Sequence, residues 1–268
     1  MRINEYNCYF FDQKLMSHCS LSAHVRNIIN NNIPDESDTG MIPIHPEIFI
    51  RHRSINLLVG KPGTSKTTSI CEELIKLSAI NIPEIHLIIW VNNTGSDQTL
   101  NTLKEYIRIP IKQIDYQDFD RIYPQFLQLK DDYNKMIRGE IPKDNSILEP
   151  LCLSNFINKP LETVIVLDDA VNILKETDSY LAKSLYKTRH TNCIFFIVIQ
   201  IWKGITAQLK SIINSVWVFG GFSTQILHHI YNQITTDLSF DDFKSMYNQV
   251  QKYQKLICDN YSGNIVVL

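Results

Sequence analysis

Apolar residues in this chain fall into short, nearly unbroken runs, separated by stretches where they return every third or fourth position. The runs are INLLV at 55–59, IHLIIWV at 85–91, TVIV at 163–166, CIFFIVI at 193–199 and VWVF at 216–219. Each is too short for a helix and lacks the alternation of a half-exposed strand, so each predicts a strand buried on both faces. Helical spacing recurs at 68–77, 99–107, 173–188 and 206–213, and at 115–138 with a break expected near Pro124. Strands that alternate with helices predict an α/β fold, a mainly parallel sheet of about five core strands flanked by helices. In such a sheet ligands bind at the carboxyl ends of the strands.

The flanks read differently. Residues 1–31 hold an aromatic segment, Tyr9-Phe10-Phe11, and a predicted helix over 21–29, while 30–43 (NNNIPDESDTGMIP) is polar and turn-rich. Pro142, Pro150 and Pro160 mark 139–162 as an irregular connection. After the fifth apolar run a helix is predicted over 223–237. A second opens at Ser239 with Asp242 completing a capping box, and KLICDN-YSG-NIVVL reads as a hairpin. The chain thus divides into an N-terminal extension and linker (1–41), a core (42–222) and C-terminal helices and hairpin that complete the core (223–268).

Composition narrows the function classes. At 268 residues, 44% apolar and 20% charged, the chain can bury one α/β core with a small accessory. No apolar run approaches the roughly 20 residues that span a bilayer, so no membrane segment is expected. The opening MRINEYNCYFFDQK, with acidic residues and no long apolar stretch, is not expected to act as a signal peptide. A net charge of −2 gives no global attraction to nucleic acid, so any DNA contact must come from a local basic surface. The six cysteines are scattered without a C-x-x-C pair, which suits free thiols in a reducing compartment. Cys8, His18, Cys19 and His24 match no common zinc spacing.

The chemistry begins where the first apolar run ends. Residues 60–67, GKPGTSKT, fit G-x-x-x-x-[G/S]-K-T between a predicted strand and a predicted helix, the setting of a phosphate-binding P-loop. Gly60, Lys61, Pro62, Gly63, Thr64, Ser65, Lys66, Thr67 and Thr68 would then wrap ATP, presenting backbone N–H groups and a helix amino end to the anion. Lys66 would reach the β- and γ-phosphates, and the Thr67 hydroxyl would ligate Mg²⁺. Ser65 stands where glycine is usual; a left-handed backbone there would cost serine about 1–2 kcal/mol. A plain Gly/Pro/Ser turn before an amphipathic helix would carry the same residues without the function, but the flanking strand and the Lys-Thr pair favour the P-loop.

TVIVLDD at 163–169 supplies the second element. Asp168 would hold Mg²⁺, and Asp169 would orient or deprotonate the attacking water. Taken alone, a strand ending in an Asp-Asp turn is common. Gln200 ends CIFFIVI, and would sit beside the γ-phosphate if that strand lies between the P-loop strand and TVIVL; otherwise it is an ordinary first loop residue. Arg189, from its position alone, is a cation complementing a helix dipole.

With IPIHP ahead of the first strand, GKPGTSKT, IVLDD, RHTNCIFFIVIQ and FDDFKSMY in this order, residues 42–268 resemble the genome-packaging ATPases of poxviruses, other nucleocytoplasmic large DNA viruses and virophages. These are P-loop ATPases (ASCE/RecA-like) of the FtsK–HerA superfamily. The RH-x-N block before an apolar strand ending in Gln is the most specific part. The resemblance implies a homo-oligomeric ring, hexamer or pentamer, that pumps double-stranded DNA into a capsid, with capsid or portal vertex proteins as partners. It places the protein at the viral assembly site in the host cytoplasm and on the virion. It makes Arg189 an arginine finger toward the neighbouring subunit's ATP, an effect worth about 10³–10⁵ in rate, and Gln200 a polar sensor. Asp169 stands where many relatives of the wider superfamily carry Glu, whereas the poxvirus-like branch uses an Asp-Asp pair. Trp202 and Lys203, just past Gln200, with Lys210 behind them, are candidates for lumen-facing DNA contacts and equally for ordinary surface or packing residues. A helicase, conjugative pump or AAA-type remodeller would have a nearly identical core. A small-molecule kinase would need an arginine-rich lid, and intact Lys66, Thr67, Asp168 and Asp169 speak against an inactive subunit.

Overall fold

All five apolar runs lie side by side in one sheet. The computed structural model describes residues 43–45, 48–80, 82, 84–93, 98–170, 180–186, 191–202 and 205–268. The runs form β3 (Ile55–Val59), β4 (Ile85–Val91), β6 (Glu162–Leu167), β7 (Cys193–Ile199) and β8 (Ser215–Phe219), and every residue in them is buried. A further parallel strand, β5 (Ile111–Ile114), extends one edge. At the other edge the predicted C-terminal hairpin, β9 (Lys255–Asp259) and β10 (Ile265–Val267), adds antiparallel to β8. The order of the eight-stranded sheet is β10-β9-β8-β3-β7-β6-β4-β5. A separate small hairpin, β1 (Pro43–His45) with β2 (Ile48–Arg51), precedes β3.

Because side chains alternate along a strand, each buried run feeds two cores. Leu57, Val59, Phe195 and Ile197 face one layer, with α3 (Tyr116–Ile137), α6 (Thr224–Tyr231) and α7 (Phe240–Asn248). Leu58, Ile194, Phe196 and Trp217 face the other, with α1 (Lys66–Ile80) and α2 (Gln98–Tyr106). Two short helices, α4 (Tyr180–Leu185) and α5 (Ala207–Lys210), complete the described set. None of the described helices is long and apolar enough to cross a membrane.

Three expectations change. The break at Pro124 is absent: α3 runs through it for 22 residues. A proline inside a helix costs about 3 kcal/mol, but buried Phe119, Tyr123, Phe126 and Tyr133 each return roughly 1.5–3 kcal/mol on the same face. The helix expected over 223–237 stops at Tyr231, because the Thr235 N–H is taken by the Asn260 side-chain oxygen at 3.0 Å rather than by a helical carbonyl. The sheet also gains β5, which the sequence pattern did not mark. At Ser239 the N-cap half of the expected box is present: its hydroxyl accepts from the Asp242 N–H at 3.2 Å, while the Asp242 carboxylate accepts from that hydroxyl at 2.6 Å.

Candidate active site

β3 delivers the chain into the loop at Gly60, whose N–H donates to the Ile199 carbonyl at 3.3 Å. A Cβ at Gly60 would lie 2.6 Å from Thr64 Oγ1 and 2.7 Å from Phe219 Cβ, so only glycine fits this close approach. Gly63 and Ser65 both adopt left-handed backbone, at φ +74° and +66°. Such alternation turns successive N–H groups into a concave anion site. Ser65 therefore occupies the conformation that disfavours serine. Its carbonyl then accepts from the Ser69 N–H at 2.9 Å, which starts α1.

Lys66 is buried at the first position of α1. Its ammonium donates to the Gly60 carbonyl at 2.7 Å and the Lys61 carbonyl at 2.8 Å, which spans the loop. Burial pulls its pKa down, while the nearby charges of Asp168 and Asp169 push it up.

Past the end of β6, Asp168 N–H donates to the Val91 carbonyl at 2.9 Å and Ala170 N–H to the Val198 carbonyl at 3.1 Å. Between them Asp169 is left-handed, at φ +58°. β7 does lie between β3 and β6, so the condition on Gln200 is met. Its Nε2 donates to Asp169 Oδ1 at 3.3 Å. Residues 62–68, Asp168, Asp169, Val198 and Gln200 line one cleft of about 430 Å³. Gly60 and Lys61 do not line it; they hold Lys66 through their carbonyls. A larger cleft of about 500 Å³, among Arg53, Lys210, Asn214 and Tyr261, contains neither the loop nor the carboxylates. The chemistry therefore belongs to the smaller one. Thr67 and Asp168 present hard oxygen donors to the same space, a donor set that fits Mg²⁺ shared with phosphate oxygens.

Arg189 and Lys203 lie outside the described residues, as do Cys8, His18, Cys19 and His24. Trp202 is only 4% exposed and sits under the Lys210 ammonium, 4.8 Å from its ring centroid, so it packs rather than facing a lumen. The sequence pattern passed over Tyr116, whose hydroxyl donates to the Asp168 main-chain carbonyl at 2.7 Å. An aromatic residue just after a helix N-cap reads as core, and only the packing of α3 reveals its second partner.

A phosphate loop between strand and helix, two carboxylates on the next strand but one, and a polar residue ending the strand between them define the fold of P-loop ATPases. Known structures agree. The chain is similar to the genome packaging NTPase B204 from Sulfolobus turreted icosahedral virus 2 in complex with ATP-gammaS, with a TM-score of 0.55 and 15% identity over 80% of this chain and 96% of that one. It is similar to B204, the DNA-packaging ATPase from Sulfolobus turreted icosahedral virus, with a TM-score of 0.53 and 14% identity over 80% and 96%. EssC (ATPases 2 and 3) from Geobacillus thermodenitrificans gives a TM-score of 0.52 at 14% identity, over 80% of this chain and 39% of that one. At these identities the likeness establishes the fold. No protein-family model matches the chain, and no curated protein matches it.

Proposed function

We propose that this chain is the ATP-hydrolysing subunit of a ring, hexamer or pentamer, that moves double-stranded viral DNA into a capsid. The reading is carried by the convergence of Lys66, Thr67, Asp168, Asp169 and Gln200 on one cleft. It is supported by a fold shared with a packaging NTPase over 80% of this chain. The loop N–H groups and the amino end of α1 receive the β- and γ-phosphates of ATP. Lys66 exchanges the Gly60 and Lys61 carbonyls for phosphate oxygens. Mg²⁺ on Thr67 and Asp168 would neutralise charge on the phosphates. Asp169 accepts the proton of a water whose oxygen bonds to the γ-phosphorus as the bond to the ADP oxygen breaks, and Gln200 orients that water. Arg189 reaches the ATP of the neighbouring subunit. The alternative reading is another DNA-translocating or remodelling ATPase of helicase or conjugative-pump type, whose core would be nearly identical. In the first reading the protein works at the viral assembly site in the host cytoplasm, against capsid or portal vertex proteins.

The test is ATP hydrolysis by purified protein across a concentration series, with and without long duplex DNA, using Lys66→Ala as the blank. A ring motor gives turnover that rises steeply with protein concentration and is stimulated by DNA. Mixing Lys66→Ala with Arg189→Ala subunits should then restore activity, because one mutant keeps the finger and the other keeps the loop. DNA-independent turnover, linear in protein, with no rescue at any mixing ratio, would sink the proposal.

A further inference from the structure

The turn that carries both carboxylates is held from two sides of the sheet. From the β7 side Gln200 donates to the Asp169 carboxylate. From the opposite side, beyond β4 and β5, the Tyr116 hydroxyl donates to the Asp168 main-chain carbonyl at 2.7 Å. Tyr116 is 7% exposed in the first turn of α3 and does not line the cleft. Burial, and then the charges of Asp168 and Asp169, push its phenol pKa up, so it stays a donor.

The carbonyl it holds belongs to the peptide joining Asp168 to Asp169. Fixing that peptide's orientation fixes the plane from which Asp169 departs, and Asp169 departs in the left-handed region. Aspartate tolerates this region without preferring it. Without that bond the peptide could rotate about its Cα–Cα axis, Asp169 could leave the left-handed region, and the turn would no longer be held against Gln200. We propose that Tyr116 is a positioning residue for hydrolysis: its hydroxyl locks the Asp168–Asp169 peptide and so keeps the Asp169 carboxylate in the cleft. The lock rests on the proposal above that Asp169 accepts the proton of the attacking water.

Tyr116→Phe removes one oxygen and leaves the ring in its packing. The expected result is a kcat about tenfold lower, the effect of losing one hydrogen bond, with KM for ATP and affinity for ATP-gammaS unchanged. In an Asp169→Asn background the same substitution should add no further loss to the residual rate, because the group being positioned is gone. Wild-type kcat in Tyr116→Phe, or the same tenfold loss in both backgrounds, about as expected of a general structural defect, overturns the lock. The two failures are separable. Asp169→Asn turning over at the wild-type rate overturns the role of Asp169 itself. An inactive Asp169→Asn beside a fully active Tyr116→Phe overturns only the lock.

Discussion

Ser65 at φ +66° is an L-residue in a region where its Cβ crowds the following carbonyl, at a cost of about 1–2 kcal/mol. Replacing it with glycine removes that cost. Against this, glycine gives the unfolded chain more freedom, which lowers stability by roughly 0.5–1 kcal/mol. No described residue hydrogen-bonds the Ser65 hydroxyl, so no further bond is lost. The difference leaves Ser65→Gly about 0.7 kcal/mol more stable than the wild type. Chemical denaturation of the nucleotide-free protein should show a higher midpoint with an unchanged slope. Ser65→Thr supplies the opposite control, since a β-branched residue in this region is a genuine outlier and should lower the midpoint. ATP-gammaS affinity should hardly move in Ser65→Gly, because the loop already has the geometry that glycine would permit. A Ser65→Gly protein less stable than wild type by about 1 kcal/mol would mean that only the entropic penalty operates, and that the serine is unstrained in solution.

Gly60→Ala places a methyl 2.7 Å from Phe219 Cβ; Thr64 can rotate its hydroxyl away, but the buried Phe219 cannot move. A stability loss of about 1–3 kcal/mol is expected, with weakened ATP-gammaS binding by calorimetric titration, and an unaffected Gly60→Ala would refute the close approach. His86 is buried and its pKa is held down to about 3 by burial, then by the Lys130 charge. Below pH 6.5 the unfolded chain binds a proton that the folded chain refuses, so stability falls as acid is added, by about 2 kcal/mol between pH 6.5 and 5. The His52–Glu162 pair acts the other way: its stabilisation is full below pH 6.5 and fades as pH rises through the raised His52 value. The measurement is therefore the difference between wild type and His86→Gln at pH 7.5 and pH 5, conditions either side of the ordinary imidazole value of 6.5, and a difference that does not change with pH would refute it.

The five central strands were legible because burial on both faces writes itself as an unbroken apolar run. β5 was not, since IKQI is a four-residue edge strand, half-buried, whose pairing with β4 cannot be seen locally. Pro124 misled for a related reason: local chemistry argues for a break, and the packed face of α3 overrides it. For Trp202 the position after Gln200 left a lumen contact and a packing role equally open, and its burial under Lys210 decides for packing.

The site divides along the same line. Lys66, Thr67, Asp168 and Asp169 announce themselves because their chemistry is carried by neighbours in sequence. Gln200 could be stated only as a condition on strand order, which β7 between β3 and β6 satisfies. Tyr116 needed a helix brought against a strand end 52 positions further along the chain. Strain adds what neither motif nor periodicity contains. Ser65 and Asp169 are left-handed non-glycine residues that line the one cleft, while Arg53, Cys152, Asn192 and Tyr253 adopt the same conformation outside it. Ser65 and Asp169 are therefore informative substitutions for opposite reasons. Glycine at 65 relieves strain and keeps the loop, whereas relaxing 169 through Tyr116 relieves strain and removes the carboxylate from its post.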